Sequence, residues 1–260
     1  MVDSLDDEWW IEKGEVEEEK EDISLPLEKK RKFEGCDSEI DTPQNKKSKR
    51  KNKKKTLSQV LAEQKPEAVT CSDFIDSVQK HFQDKLSAVE MDEVQLDDSH
   101  FMKCASLNCQ VADYMRQVLP KWKRLVKVQK QENGAPLVLV ICSAASRAVH
   151  LNREIQKTFK EKCKVAKLFA KHMKIEEQKK YLDSTVIQMG VGTPHRINAL
   201  IEEGALKVDQ IQHIILDWMW RDQRLRQMIS IPEIKEELLE LFKKHLFKLV
   251  RQKNVTIGLV

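Results

Sequence analysis

The residues of this chain best suited to chemistry follow three of its apolar segments. Thr193 and Pro194 are typical of a helix start, as N-cap and first helical residue, and the free N–H groups of such a start can bind phosphate. Arg147 and Arg196 each offer forked donors that can bind a phosphate through two hydrogen bonds. These residues predict a phosphate-backbone interface, although an ordinary helix start beside two solvated arginines would give the same sequence.

Patterns for covalent or metal chemistry are weaker. Cys142, Ser143 and Ser146 lie at an expected strand-to-helix turn, where hydrolases place a nucleophile, but no G-x-S-x-G surrounds them. The histidines lack a metal-binding spacing, and the 6 cysteines include no C-x-x-C pair. We therefore expect no catalytic nucleophile, no metal site, no disulfide framework and no cofactor.

The elements that must position these residues alternate between strand and helix. Apolar runs predict strands at 136–142, 164–169 and 184–190, at the end of 208–218 and in the tail NVTIGLV. Helical patterns lie between them, and a final amphipathic helix is predicted over 229–250. Strands separated by single helices require right-handed parallel crossovers, so the predicted fold class is α/β, a doubly wound parallel sheet with flanking helices. Such sheets bind ligands at the carboxyl ends of their strands.

Upstream of the sheet, the chain divides by charge and by periodicity. Residues 1–55 are acidic and then lysine-rich, with too few apolar side chains to order a backbone, so we predict a disordered tail. Residues 56–100 have helical periodicity and are predicted to be a helical lead-in to a domain over 101–260. A further helical pattern runs from 101 to about 128 and is interrupted at Pro120.

Two features of the tail predict contacts with partners. Trp9 and Trp10 lie within an acidic stretch and are typical of an anchor that inserts into a partner, with a chance exposed aromatic pair as the alternative. A basic run at 46–55 can neutralise phosphate without reading sequence. Its cations are Lys46, Lys47, Lys49, Arg50, Lys51, Lys53, Lys54 and Lys55.

Composition narrows the class of protein. The 260 residues carry 46 Lys+Arg and 42 Asp+Glu, a net charge of +4, and 40% are hydrophobic, which suffices for one sizeable core. No apolar stretch approaches the roughly 18 residues of a membrane span, and the acidic start differs from a signal peptide. We expect a soluble protein made without secretion and without membrane contact.

Three segments occur in an order found in one helicase family. They are CSAASRAVHL, VGTPHRINALIEEGAL and HIILDWMWRD, and each includes the end of a predicted strand or follows it. The series resembles the first RecA-like domain of DEAD-box RNA helicases, whose corresponding segments are P-T-R-E-L-A, T-P-G-R and D-E-A-D. Thr193, Pro194 and Arg196 match T-P-G-R, with histidine in place of the glycine. The resemblance implies a single RecA-like sheet in which Arg147, Thr193 and Arg196 contact the RNA backbone.

The match fails where that family binds ATP. None of the 7 glycines lies between positions 35 and 134, so no G-x-x-x-x-G-K-[ST] loop can cradle phosphates in segment 104–115. Asp217 matches the first acid of D-E-A-D, but Trp218, Met219 and Trp220 replace the rest. The two indoles, at alternating positions, are predicted on one side, filling a vacated nucleotide space or packing under the last helix. We expect no ATPase and no enzyme; the alternative is a divergent RNA-dependent NTPase or helicase-like enzyme.

A narrower resemblance covers the whole chain. The segments D-D-E-W-W, S-R-A-V-x-L, L-F-A-K-H, G-V-G-T-P-x-R and D-W-x-W-R-D together are similar to the Cms-type ribosomal small-subunit proteins of eukaryotes. Membership would imply ribosome biogenesis: a non-catalytic factor of the small-subunit processome and of rRNA processing, without enzymatic activity, in the nucleus and nucleolus. Its partners would be pre-ribosomal RNA and small-subunit assembly proteins, and no oligomer is expected. In that setting, the run 46–55 would be a nuclear and nucleolar address, and Trp9 and Trp10 would help the acidic tail bind a basic groove.

Overall fold

Five parallel strands form the central sheet of the described chain. The strands are β1 (Val138–Ile141), β2 (Val165–Leu168), β3 (Met189–Gly192), β4 (His213–Leu216) and β5 (Thr256–Leu259). Their order across the sheet is β2-β3-β1-β4-β5, and every neighbouring pair is parallel. The computed structural model describes residues 70–260 except 104, 106–108, 131, 160–162, 172 and 254. All described residues belong to one compact unit.

Helices precede the sheet, cross between its strands and follow β4. They are α1 (Cys71–Phe82), α2 (Ala88–Val94), α3 (Val111–Val118), α4 (Trp122–Val128), α5 (Ala145–Phe159), α6 (Ile175–Ser184), α7 (Pro194–Glu202), α8 (Pro232–Leu241) and α9 (Phe247–Lys253). A π-helical segment, Phe242–Leu246, joins α8 to α9, and short 3₁₀ turns lie at Asp98–His100 and Met228–Ser230.

Successive side chains of each strand point to opposite faces of the sheet, and both faces are buried. Leu139 and Ile141 of β1 belong to one apolar cluster, to which α1, α7, α8 and α9 contribute. Val138 and Val140 belong to a second cluster, formed with α3, α4 and α5. Helices therefore cover both faces, and the predicted doubly wound parallel sheet is confirmed.

The helices before the sheet are part of the first cluster. Phe74 of α1 is fully buried, with its ring centroid 5.1 Å from that of Phe242 and 5.6 Å from that of Trp218. Val78, Phe82 and Val94 extend the same contact. The helical pattern predicted for this region is confirmed from Cys71 onward, while the boundary between lead-in and domain stays a prediction.

The helical pattern predicted from residue 101 begins later than expected. Phe101 forms a parallel bridge with Ile257 of β5, and the Met102 N–H donates to the Ile257 carbonyl at 2.7 Å. Because this segment runs along the free edge of β5, its helix begins only at Val111. The predicted interruption at Pro120 is confirmed, since it falls between α3 and α4.

Several predictions concern residues outside the described part of the chain. They are the disordered tail 1–55, the anchor Trp9–Trp10 and the basic run 46–55. Within the described ranges, no helix is long and apolar enough to cross a membrane. Over the same residues, no group of three or more His, Cys, Asp or Glu side chains is arranged to hold a metal ion.

Candidate functional site

The candidate site lies at the carboxyl edge of the sheet, where β3, β1 and β4 end side by side. Parallel neighbours end at the same edge, so residues far apart in sequence meet there. Helix α5 begins just after β1 and carries Arg147, helix α7 begins just after β3, and Asp217 directly follows β4. The Asp217 N–H donates to the Ile141 carbonyl at 3.0 Å, which fixes the aspartate beside the start of α5.

An internal ion pair joins Arg147 to Asp217. The arginine Nε donates to Oδ2 at 2.8 Å and Nη2 donates to Oδ1 at 3.0 Å, so both carboxylate oxygens accept a hydrogen bond. The Asp217 side chain is 2% exposed and that of Arg147 is 18% exposed. The guanidinium also lies 5.8 Å from the centroid of the Trp220 ring, a cation–π contact. Sequence reasoning placed Asp217 and Arg147 in separate motifs and did not predict that they pair.

Burial and pairing act together on the protonation of these two groups. Desolvation raises the pKa of the Asp217 carboxyl, and Arg147 counteracts only part of that effect. Desolvation also opposes the charge of Arg147, but hydrogen bonds and Coulomb attraction from Asp217 outweigh it and raise the pKa of the guanidinium. The two-point geometry is that of a charged pair in which the carboxylate depends on the guanidinium, because little water reaches Asp217 to replace that partner.

Arg196 is held by a different neighbour. Its Nη1 donates to the Met173 carbonyl at 3.2 Å and to Oε1 of Gln178 at 2.9 Å. Gln178 is 2% exposed and donates in turn to the carbonyls of Lys167 and Phe169, at 2.9 and 3.0 Å. Arg196 therefore ties the start of α7 to the connection between β2 and α6, on the opposite side of β1 from Asp217.

Thr193 occupies the predicted N-cap position of α7, and Pro194 is the first helical residue. The Thr193 side chain makes no capping hydrogen bond, and its backbone N–H donates to the Leu168 carbonyl at 3.1 Å. One residue into the helix, the Nδ1 atom of His195 lies 3.4 Å from a carboxylate oxygen of Glu237. An acidic side chain therefore lies at the start of this helix, where a phosphate was predicted.

The three predicted RNA-contact residues thus share one edge but not one pocket. Arg147 faces β4, Arg196 faces the β2 side, and both use part of their donor capacity on the protein itself. Contact of Arg147, Thr193 or Arg196 with RNA stays a prediction.

The strand-to-helix turn after β1 has no activated nucleophile. Burial, followed by the negative charge of Asp217, raises the pKa of the Cys142 thiol to about 12, so the thiol is protonated at neutral pH. Its Sγ donates weakly to the carbonyls of Ala144 and Gly192, each at 3.5 Å. Ser143 is 8% exposed, and no described group lies within hydrogen-bond distance of its hydroxyl, so no base is placed to activate it.

The alternating positions of the two indoles after β4 predicted that both lie on one side. This prediction is wrong, because the two rings have different neighbours. Trp218 is 4% exposed and packs edge-on against Phe74 in the first apolar cluster. Trp220 is half-buried and lies over Arg147. The alternation failed because β4 ends at Leu216, so both tryptophans belong to an irregular segment rather than to the strand.

A buried tyrosine lies within the segment 104–115, in which no phosphate loop is expected. Tyr114 of α3 is 1% exposed, and its hydroxyl donates to the Lys103 carbonyl at 2.9 Å. A Cβ added at Gly258 of β5 would come within 2.8 Å of that hydroxyl. The glycine is therefore needed for the close approach of Tyr114 to the sheet.

The chain is similar to known proteins over most of its length. Residues 16–259 match the family model described as "CMS1: U3-containing 90S pre-ribosomal complex subunit". Protein CMSS1 of Xenopus laevis is 37% identical over 278 residues and is covered completely, as is this chain. Protein CMSS1 of Homo sapiens is 37% identical over 210 residues, which cover 81% of this chain and 75% of the human protein.

Solved structures of DEAD-box proteins are also matched. The DEAD box protein from the hyperthermophile Methanococcus jannaschii aligns with a TM-score of 0.40 and 20% sequence identity. The alignment covers 74% of this chain and 48% of that protein, so this chain spans about half the length of that solved chain.

Proposed function

This chain belongs to the family described as CMS1, the U3-containing 90S pre-ribosomal complex subunit, and we propose that it is a non-catalytic assembly factor of the early small ribosomal subunit precursor. The predicted resemblance to Cms-type proteins is thereby confirmed. We infer that the sheet domain is a docking module for pre-ribosomal RNA and assembly proteins, and that the protein acts in the nucleus and nucleolus.

One observation carries the non-catalytic part of the proposal. A helicase of the DEAD-box type would use the first acid of its box to hold magnesium through the metal's water shell. Here that acid is Asp217, which is 2% exposed and has both oxygens occupied by Arg147. Binding a hydrated metal would require breaking this pair and exposing a buried carboxylate, while the next residue, Trp218, is packed in the core.

Two segments outside the described residues complete the proposal. We infer that the basic run 46–55 directs the protein to the nucleolus and that Trp9 and Trp10 anchor the acidic stretch in a basic groove of an assembly protein. A full chain with the cations of 46–55 replaced by Gln is expected to leave the nucleolus while its folded domain is unchanged. A variant that stayed fully nucleolar would contradict the address.

The enzyme alternative is tested with the full chain and Mg-ATP. We expect calorimetry to show no micromolar binding, and phosphate release to stay at background with or without RNA. Micromolar affinity together with RNA-stimulated turnover would overturn the proposal in favour of an RNA-dependent NTPase.

The assembly role is tested by sedimentation. The tagged chain, in the cells that produce it, is expected to sediment with 90S pre-ribosomal particles, and its depletion is expected to lower the yield of small-subunit rRNA. Sedimentation only as a free protein, with normal rRNA processing after depletion, would contradict an assembly role.

A further inference from the structure

The amino edge of the sheet, opposite the candidate site, carries a concentration of positive charge. Between Tyr114 and Gln131, the chain contains six Lys or Arg residues and no Asp or Glu. Four of these six lie on or next to α4, and two cations from another part of the chain join them, one on α5 and one directly before β2. We call them the α4 basic surface; all six are exposed, and they are Lys121, Lys123, Arg124, Lys127, Lys157 and Lys164.

Buried contacts fix α4 in place at both of its ends. At its start, the Trp122 ring packs edge-on against Phe159, with centroids 5.5 Å apart, near the end of α5. At its end, the buried Gln129 side chain donates to the carbonyls of Ala135 and Ile187, at 2.9 and 3.1 Å, just before β1 and β3. The cations of α4 are therefore presented by a rigid element.

The same contacts bring the other two cations to this surface. Lys157 lies two residues before Phe159, the partner of Trp122. The Lys164 N–H donates to Oε1 of Gln188 at 2.8 Å, next to Ile187, which accepts from Gln129. The surface thus extends from the end of α5, along α4, to the amino end of β2.

Among the residues that the structure describes, no ion pair balances the charges of this surface. The described part of the chain has no carboxylate within 4.0 Å of the cationic groups of these six residues. The two other cations of the same stretch do have carboxylate partners, Arg116 with Asp113 and Lys130 with Glu132. On α4 the cations repel one another, because Lys123 and Lys127 are four residues apart and Arg124 and Lys127 are three apart. This repulsion disfavours the helix, and the binding of an anionic partner would offset it.

The chemistry of the surface favours RNA over an acidic protein. Protein interfaces depend on aromatic or apolar anchors at their centre. Here Trp122 is buried, and the exposed large apolar side chain on α4 is Val128 alone, 78% exposed. Several flexible cations without an apolar centre are typical of contacts to phosphates, which position a nucleic acid without reading its sequence.

We propose that the α4 basic surface binds the phosphate backbone of RNA, so that RNA contacts the amino edge of the sheet rather than the carboxyl edge predicted from the helicase motifs. This inference rests on the docking function proposed above and names the surface responsible. Binding is independent of base sequence and steeply dependent on salt.

The test compares two triple variants of the full chain. Both are made in a background in which the cations of 46–55 are replaced by Gln, so that the tail does not mask the domain. The first replaces Lys123, Arg124 and Lys127 by Gln on the amino edge. The matched control replaces three exposed cations after β2 and β4 on the carboxyl edge; they are Lys171, Lys174 and Arg224.

Fluorescence anisotropy with a 20-nucleotide single-stranded RNA of mixed sequence, between 50 and 200 mM salt, gives the readout. Loss of three phosphate contacts makes the slope of log K against log[salt] shallower by about 2, at roughly 0.7 per contact. At 100 mM salt, we expect binding by the α4 variant to weaken at least about tenfold, with the control unchanged. Because repulsion within α4 is removed, thermal unfolding of the α4 variant is expected at the same or a higher temperature.

The other outcomes separate the inference from the proposed function. If the carboxyl-edge control loses binding, or if both variants bind as well as the background chain, the inference is overturned but RNA docking is left intact. Failure of the background chain itself to bind RNA overturns the RNA-docking part of the proposed function. Stronger binding of polyglutamate than of RNA, with the same dependence on α4, overturns the inference in favour of an acidic protein partner.

Discussion

Removing Arg147 should destabilise the fold far more than removal of a surface cation. The Arg147→Met variant leaves the Asp217 carboxylate, 2% exposed, without its two hydrogen-bond donors. Truncating one partner of a buried pair costs about 3–5 kcal/mol, because an uncompensated charge remains inside. Asp217→Leu should cost less, about 1–3 kcal/mol, since the arginine left behind is 18% exposed and can reach water.

A thermodynamic cycle isolates the pair from its surroundings. The double variant Arg147→Met/Asp217→Leu replaces both ions by apolar groups, which is close to neutral when the volume is kept. We expect it to lie within about 1 kcal/mol of the parent, which gives a coupling of at least about 3 kcal/mol. Urea unfolding, followed by far-ultraviolet circular dichroism, measures all four proteins. Lys179→Met, which breaks an exposed ion pair with Glu203, is the control and should change stability little.

The pH dependence of the Arg147→Met variant provides an independent check. Burial raises the pKa of Asp217, and loss of the guanidinium removes the effect that counteracts this rise. A raised pKa in the folded state means that the penalty is absent at low pH and develops as pH rises through that pKa. The deficit of Arg147→Met relative to the parent should therefore be smaller at pH 5 than at pH 7.5. Additive single variants, or a deficit independent of pH, would refute the buried-pair reasoning.

Three further predictions concern other parts of the sheet. Burial lowers the pKa of His213, so its contribution to stability is present above about pH 6.5 and is lost as pH falls. In the His213→Asn variant, the free energy of unfolding in urea should therefore depend less on pH between 7.5 and 5.5, by up to about 1.4 kcal/mol per pH unit. Burial raises the pKa values of the Cys142 and Cys163 thiols to about 12, so mass spectrometry should find both unlabelled by a thiol reagent at pH 8 until the protein unfolds. A Cβ at Gly192 would overlap the Leu168 carbonyl, so Gly192→Ala should lower the free energy of unfolding by about 1–3 kcal/mol, measured in urea.

The sequence predicted the strands well where both faces are buried. The run 136–142 contains β1, because a strand covered on both sides is apolar without interruption. The strand predicted at 184–190 begins instead at Met189, since α6 continues to Ser184. The segment MGVG of β3 lacks the usual pattern of a strand, because it contains two glycines. Both glycines allow the close approach of Leu168 in β2, and that contact cannot be seen in the sequence alone.

The candidate site was less predictable because its key contact is long-range. The sequence identified Arg147 and Asp217 individually, as parts of motifs 70 residues apart. Their pairing depends on β1 and β4 being neighbours, a fact of strand order rather than of local pattern. The α4 basic surface had a partial local signal, because four of its cations lie between Tyr114 and Gln131, in a stretch that contains six cations and no Asp or Glu. Helical periodicity depends on the apolar positions and does not reveal this signal.

The positive charges at the two edges of the sheet have opposite surroundings, and this difference bears on the docking role proposed above. At the carboxyl edge, Arg147 and Arg196 are bonded to the protein and stabilise its connections. At the amino edge, the cations of the α4 basic surface have no carboxylate partner among the described residues. Four-residue strands separate these edges by about 13 Å, so a phosphate contact at one edge leaves the other free for a protein. Substitutions at Arg147 should therefore change stability without changing the salt slope of RNA binding, and substitutions on α4 should do the reverse.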